Sequence, residues 1–268
     1  MNTQQLKQKA LTIRREVLTA ITNVGSGHLG GSFSCVEILV YLYYKFLTIN
    51  PSNLAHLHRD RFLMGKGHGN LVLYGIFKDL GLHPPVWWDQ YCQDGAKYGG
   101  QMDTSLPEVE YNTGSLGHAM GIGCGLALAA KMNESTQKNV VLVGDAELQE
   151  GSCWEAMMLA GNHHLNNLLC IIDRNKFGVT QKIDDELEPL RQKFEAFHWS
   201  VDTVDGHDFD ALHNCLTGSQ NISKPRCVIA NTIKGKGIHN FENVVTWHHG
   251  APPKDQLPKL LQELEASI

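Results

Sequence analysis

Apolar residues at helical spacing open the chain. Leu6, Leu11, Ile13, Val17, Leu18 and Ile21 stop just before Gly25-Ser26-Gly27, which predicts a helix ending in a glycine turn. Val36 to Phe46 is apolar enough for a buried helix. Arg59 to Met64 then predicts a short strand, followed by a glycine turn that carries His68 and by another helix. Farther on, the apolar run Val140–Val143 ends in Gly144-Asp145, and a second run ends in Asp173-Arg174-Asn175. Between them, Glu150 to His164 has helical composition, so the stretch predicts a strand, a crossover helix and a parallel strand. Trp199–Val204 and Arg226–Thr232 predict two more strands around a helix from Asp208 to Leu216, and an amphipathic helix from Asp255 to Ala266 closes the chain. The alternation predicts an α/β fold, a parallel sheet with helices on both faces, as one domain over residues 1–268. Only Pro84 to Glu110 breaks the rhythm. Rich in Pro, Gly, Trp and Tyr, it is expected to be an irregular excursion over the surface or a pocket mouth.

In a strand-helix-strand unit the carboxyl ends of both strands share one edge of the sheet, where ligands bind. Asp145 and Asn175 should therefore face one crevice. A carboxylate and an amide oxygen together suit a hard ion such as Mg²⁺, which completes about six oxygen ligands with phosphate oxygens and water. Gly144, Gly151 and Gly178 are expected where the backbone approaches that ligand. Two histidines stand among glycines, His28 in S-G-H-L-G-G and His68 in K-G-H-G, where each can present its imidazole to a pocket. The turn Thr113-Gly114-Ser115-Leu116 precedes a helix rich in glycine and alanine and offers free amide groups at its start. So many helical glycines imply a neighbour packed very close.

Composition narrows the classes further. A net charge of −5 argues against a nucleic-acid partner, and no Lys/Arg run marks a membrane surface. No apolar stretch approaches the roughly 18 to 20 residues of a membrane span. Seven scattered cysteines without a C-x-x-C pair read as reduced thiols, and the first twenty residues lack the apolar centre of a signal peptide. The expectation is a cytoplasmic protein. The first strand-helix turn carries no G-x-G-x-x-G, and His163-His164 and His56-x-His58 lack the H-E-x-x-H pattern, which disfavours a dinucleotide-binding domain and a zinc hydrolase.

Gly144-Asp145-Ala146, twenty-eight further residues and then Asn175 resemble the thiamine diphosphate signature. Together with S-G-H-L-G-G, R-D-R-F-x-x-x-K-G-H, T-G-S-L-G, G-D-A-E-L-Q-E-G and the closing H-H-G-A-P, they resemble the transketolase family. The likeness spans about Leu6 to Leu264 but only the amino-terminal third to half of a full-length transketolase. It implies the thiamine diphosphate-binding fold and the diphosphate-binding subunit of a split enzyme, whose pyrimidine-binding domain lies on a separate carboxy-terminal subunit, with two copies of each.

By motif, the resemblance implies Mg²⁺ on Asp145, Asn175 and the Phe177 carbonyl, with Gly144, Ala146 and Asn175 at the diphosphate. It implies Gly114, Ser115 and Leu116 at the aminopyrimidine, His28 and His68 at the thiazolium and substrate, and His248 or His249 at phosphate and substrate. Glu150 and Glu155 fall where the family makes subunit contacts. Three positions depart from the pattern: Ala146 replaces a glycine, His118 stands where Gln is common, and Gly100-Gln101-Met102 stands where transketolases carry G-H-P, so that Gln101 takes the place of a substrate-facing histidine. The implied activity is transfer of a two-carbon ketol unit between sugars or sugar-like acceptors. The alternatives are acyl transfer from a 2-oxo acid such as pyruvate on the same cofactor, and a non-catalytic subunit that holds a partner.

Overall fold

The structure, a computed structural model, describes residues 1–183, 185–218 and 223–267. Helix α1 (Thr3–Val24) begins with a reciprocal cap: Asn2 Oδ1 accepts from the Gln5 N–H at 2.9 Å, and Gln5 Oε1 accepts from the Asn2 N–H at 2.8 Å. It ends where Gly25 turns left-handed at φ 82°. There follow α2 (Leu29–Ser34), α3 (Val36–Tyr41), β1 (Arg61–Met64), α4 (Asn70–Asp79), α5 (Val86–Asp89) and α6 (His118–Met132). The second half alternates β2 (Asn139–Gly144), α7 (Gly151–Asn162), β3 (Leu168–Arg174), α8 (Leu190–Ala196), β4 (Ser200–Asp205), α9 (Phe209–Thr217), β5 (Arg226–Asn231) and α10 (Leu257–Ala266).

All strand pairs are parallel, in the order β1-β2-β3-β5-β4. Successive residues of a strand point to opposite faces, so each central strand feeds two cores. Val140, Leu142, Leu169, Ile171, Val228 and Ala230 pack with α1, α3, α4 and α9, whereas Val141, Val143, Cys170, Ile172, Cys227 and Ile229 pack with α6, α7 and α8. β2 and β3 are buried throughout, which explains their unbroken apolar runs.

Two local expectations change, and one stretch gains an element. The stretch after Gly27, to which the sequence pattern assigns no element, forms the helix α2, and its glycines serve close approach. A Cβ on Gly30 would lie 2.7 Å from the Trp247 carbonyl, and one on Gly31 would lie 3.3 Å from His68 Nε2. In α6 only Gly123 is crowded, against Val141 of β2, while Gly121 and Gly125 face open space. Gly151 likewise would have nothing within 4 Å of an added Cβ, and it does not border the crevice described below.

The excursion after α4 is anchored as well as irregular. Tyr98, Met102 and Leu106 are buried, and Tyr98 stacks on Tyr74 of α4 at 4.0 Å. His83 Nε2 lies 2.9 Å from the buried Glu108 carboxylate, and His83 Nδ1 lies 2.7 Å from the Tyr98 hydroxyl. These ties carry Gln101 to the carboxyl edge of the sheet.

Candidate active site

Gly144 pairs with Asp173 across β2 and β3, so the residues that follow these strands leave the sheet side by side. The carboxylate of Asp145 accepts from the Ala146 N–H at 2.8 Å and from the Lys176 N–H at 2.5 Å. Asn175 Oδ1 accepts from the Phe177 N–H at 3.1 Å, and Asn175 Nδ2 lies 3.4 Å from Asp173 Oδ2. Asp145 is 2% exposed, and burial, with the nearby Asp173 charge, pushes its carboxyl up to about 6. A carboxylate so placed gains from a cation, and the Asp145 carboxylate with the Asn175 amide oxygen offers the oxygen donors that suit Mg²⁺.

Under this pair lies a buried ion pair. Lys66 Nζ donates to the Asp173 carboxylate, to the Gly31 carbonyl at 2.5 Å and to Ser34 Oγ at 3.2 Å. Asp173 also accepts from Ser34 Oγ at 2.6 Å and from Thr232 Oγ1. Burial works against both charges, yet the pairing keeps Asp173 below and Lys66 above its ordinary value. Lys66 is therefore engaged in fixing the base of the site, and losing one partner of such a pair costs about 3 to 5 kcal/mol.

A cavity of about 240 Å³ opens above this base. His28, His68, Gln101, Gly114, Leu116, Gly144, Asp145, Ala146, Asn175, Phe177 and His248 border it, joined by Lys66, Glu147 and Lys234. Gly114 has φ 125°, a conformation suited to glycine. Ser115 is exposed and lies outside the lining, and His118 is exposed too, so it is Gln101 that reaches the cavity. The Gln101 amide is held by Thr113, whose Oγ1 lies 3.1 Å from Gln101 Oε1, and the Gln101 carbonyl accepts from Tyr74 Oη at 3.3 Å. A larger cavity of about 510 Å³ lies at the opposite, amino-terminal edge of the sheet, bordered by Gln137, Asn139, Asn167 and Arg226, and it contains none of these groups.

The histidines converge from three segments. Gly250 N–H donates to the Gly27 carbonyl at 2.8 Å and draws the closing loop onto the start of α2. The ring of His28 lies 4.9 Å from His68, 5.5 Å from His248 and 4.6 Å from His249. His248 faces the cavity, whereas His249 is exposed at its rim, with Nε2 3.3 Å from Ser26 Oγ. Lys234 Nζ donates to the Gly178 carbonyl at 2.8 Å and stands 3.0 Å from His248 Nδ1. Because an ammonium only donates, His248 must accept at Nδ1 and carry its proton at Nε2.

Burial lowers His28 to about 4, helped by His249 and Lys234, and lowers His248 to about 4, helped by Lys234. Burial and Lys66 lower His68 to about 2, and burial lowers Lys234 itself to about 8. The rings are thus neutral near pH 7 and act as hydrogen-bond donors and acceptors. In an NMR titration of the free chain, the ring signals of His28 and His248 are expected to hold steady from about pH 8 to about pH 5 and to move only below that. Midpoints near 6.5 would show open, hydrated rings.

Lys66, Lys234 and Glu147 belong to this site although their residue types alone do not single them out. Lys66 stands two residues before His68, and Lys234 opens K-G-K-G after the last strand. Both lysines stand beside glycines in the sequence, which does not set them apart, and only the fold turns them inward.

The sequence matches the family profile described as "Transketolase, thiamine diphosphate binding domain" over residues 5–264. It is 39% identical to an apulose-4-phosphate transketolase subunit of Actinobacillus succinogenes, covering 97% of this chain and 96% of that one. It is 35% identical to the 6-deoxy-6-sulfo-D-fructose transketolase subunit of a Clostridium species, covering 99% and 98%. The crystal structure of transketolase from Campylobacter jejuni superposes with a TM-score of 0.90 at 31% identity, over 99% of this chain but 43% of that one. The chain thus spans less than half of that transketolase and nearly all of the subunit-type relatives. It belongs to the transketolase family, of which it carries the thiamine diphosphate binding domain.

Proposed function

We propose that this chain is the diphosphate-binding subunit of a two-subunit transketolase that transfers a two-carbon ketol unit from a ketose to a sugar-like aldehyde. The observation that carries the proposal is the convergence of Asp145 and Asn175 with three neutral histidines around one cavity. Asp145, Asn175 and the Phe177 carbonyl would hold Mg²⁺, and Gly144, Ala146 and Asn175 would meet the diphosphate. Gly114 and Leu116 would border the aminopyrimidine, with Ser115 on the exposed side of the same turn. When bound, thiamine diphosphate supplies the carbanion-stabilising chemistry. The chain's own residues bind and orient it. Neutral His28, His68 and His248 would donate to and accept from the hydroxyls and carbonyl of the sugar, with His249 at the rim, and His248 would offer its Nε2–H. Tertiary placement of these groups on one domain of residues 1–268, with the excursion at 84–110 as one wall, is part of the same reading.

The partner would supply the pyrimidine-binding domain, with two copies of each subunit in the assembly. Met158 and Leu159 on α7 and Met132 on α6 are exposed on the chain alone, as are Glu150 and Glu155, and this supports a docking face there. All seven cysteines are unpaired, which suits a reducing compartment such as the cytoplasm. Among the described residues no helix is long and apolar enough to cross a membrane.

The relatives act, by their names, on apulose 4-phosphate and on 6-deoxy-6-sulfo-D-fructose, and this chain would take a donor of that broad class, a ketose with an anionic or modified end. Gln101 is the residue to test, since an amide can hydrogen-bond a donor hydroxyl but cannot carry a proton. The experiment is a donor screen on the subunit pair, following release of the aldehyde product. Gln101→Ala is expected to lower kcat/KM for the preferred donor by about tenfold, the worth of one hydrogen bond to a polar group. No ketol transfer from any ketose by the complete pair would overturn the functional reading.

A further inference from the structure

Glu147 sits two residues beyond Asp145, in a short turn spanning Ala146–Gln149, and is 1% exposed. Its side chain enters a gap where three backbone segments meet. Oε1 accepts from the Gly117 N–H at 3.0 Å, and Oε2 accepts from the Gly144 N–H at 3.2 Å. The gap has a clear origin in the sheet. Gly65 N–H donates to the Leu142 carbonyl at 2.7 Å, but β1 ends at Met64 and the chain then turns, with Gly67 N–H bonding back to the Gly65 carbonyl. Two residues farther along β2, Gly144 has no strand residue to accept its N–H, and the Glu147 carboxylate fills that role.

The other oxygen reaches the far side of the cavity. Gly117, at φ 87°, begins α6 and ends the turn that contains Gly114 and Leu116. The sequence predicts free amide groups at this turn, yet this N–H is engaged by Glu147. Gly65 completes the arrangement, since a Cβ there would overlap the Glu147 carboxylate. One side chain therefore spans the segment of Gly144 to Ala146 and the segment of Gly114 to Gly117. No other described side chain bonds to the backbone of both.

We propose that Glu147 is a positioning residue of the cofactor site, a clamp that sets the spacing between the turn facing the diphosphate and the turn facing the aminopyrimidine. The proposal rests on the functional reading above for the identity of the cofactor, but the clamp itself is a property of the chain. A shorter Asp cannot reach both turns. Gln keeps the length but has one acceptor oxygen, so its NH₂ faces an N–H that also needs an acceptor.

Two measurements test this. In the full chain at pH 8, amide hydrogen exchange followed by NMR is expected to quicken at least tenfold at Gly117 or Gly144 in Glu147→Gln, with the central amides of β2 and β3 changed by less than twofold. In the enzyme assembled with its partner, thiamine diphosphate should bind about tenfold more weakly, the range found for groups that orient a site from behind. Gly65→Ala serves as a second variant, because it displaces the carboxylate without removing it, and it should reproduce both effects if Glu147→Gln does not fold. Unchanged exchange at both amides, or unchanged cofactor affinity in both variants, overturns the proposal. If the unaltered assembly binds no thiamine diphosphate, the functional reading fails, while the exchange result still decides whether the clamp exists.

Discussion

Replacing Asp145 with alanine is expected to weaken Mg²⁺-dependent binding of thiamine diphosphate by roughly a hundredfold or more, since groups that merely orient a metal ligand already account for about 10- to 100-fold. Asp145 would supply the formal negative charge among the protein ligands, and the Lys176 and Ala146 N–H groups that donate to it would lose their acceptor beside the metal position. Asn175→Ala should show a smaller loss in the same direction, because an amide oxygen binds Mg²⁺ less strongly than a carboxylate. Calorimetric titration of the assembled enzyme, with and without Mg²⁺, measures both. The fold should survive, because the buried charge at the base of the site belongs to the Lys66–Asp173 pair and not to Asp145. Unchanged affinity in the two variants would remove Asp145 and Asn175 from the metal site.

The purified chain without its partner is expected to turn over a ketose donor at least about a hundredfold more slowly than the pair, and up to ten-thousandfold more slowly. That is the range that a general acid-base group contributes, and the missing pyrimidine-binding domain would supply such a group. Adding the partner should restore turnover at a one-to-one ratio of subunits. The same titration should protect Met158 and Leu159 of α7, which are 46% and 44% exposed on the chain alone, from surface labelling. Mass measurement in solution would give the copy number. Steady turnover by the single chain would show that this domain holds every group the reaction requires.

Much of this protein can be read from the order of its residues. The unbroken apolar runs of β2 and β3 announce parallel strands buried on both faces, and a strand-helix-strand unit brings its two carboxyl ends together whatever the rest of the chain does. Asp145 and Asn175 can therefore be paired from the sequence alone. The glycines around His28 and His68 mark positions of close approach, and Gly30 and Gly31 make theirs from within the helix α2. Other features depend on contacts between segments far apart in the chain. Lys66 meets Asp173 across 107 positions, and Lys234 meets Gly178 across 56, so no local pattern distinguishes these lysines from solvated ones. The separation of His248 from His249 follows from the extended backbone at His249, which sends neighbouring side chains to opposite sides, in a loop that the bond between Gly250 and Gly27 holds against the start of α2. Glu147 is the plainest case. In sequence it is one acidic residue in a turn, and only the early end of β1 leaves Gly144 without a strand partner and gives that carboxylate its place.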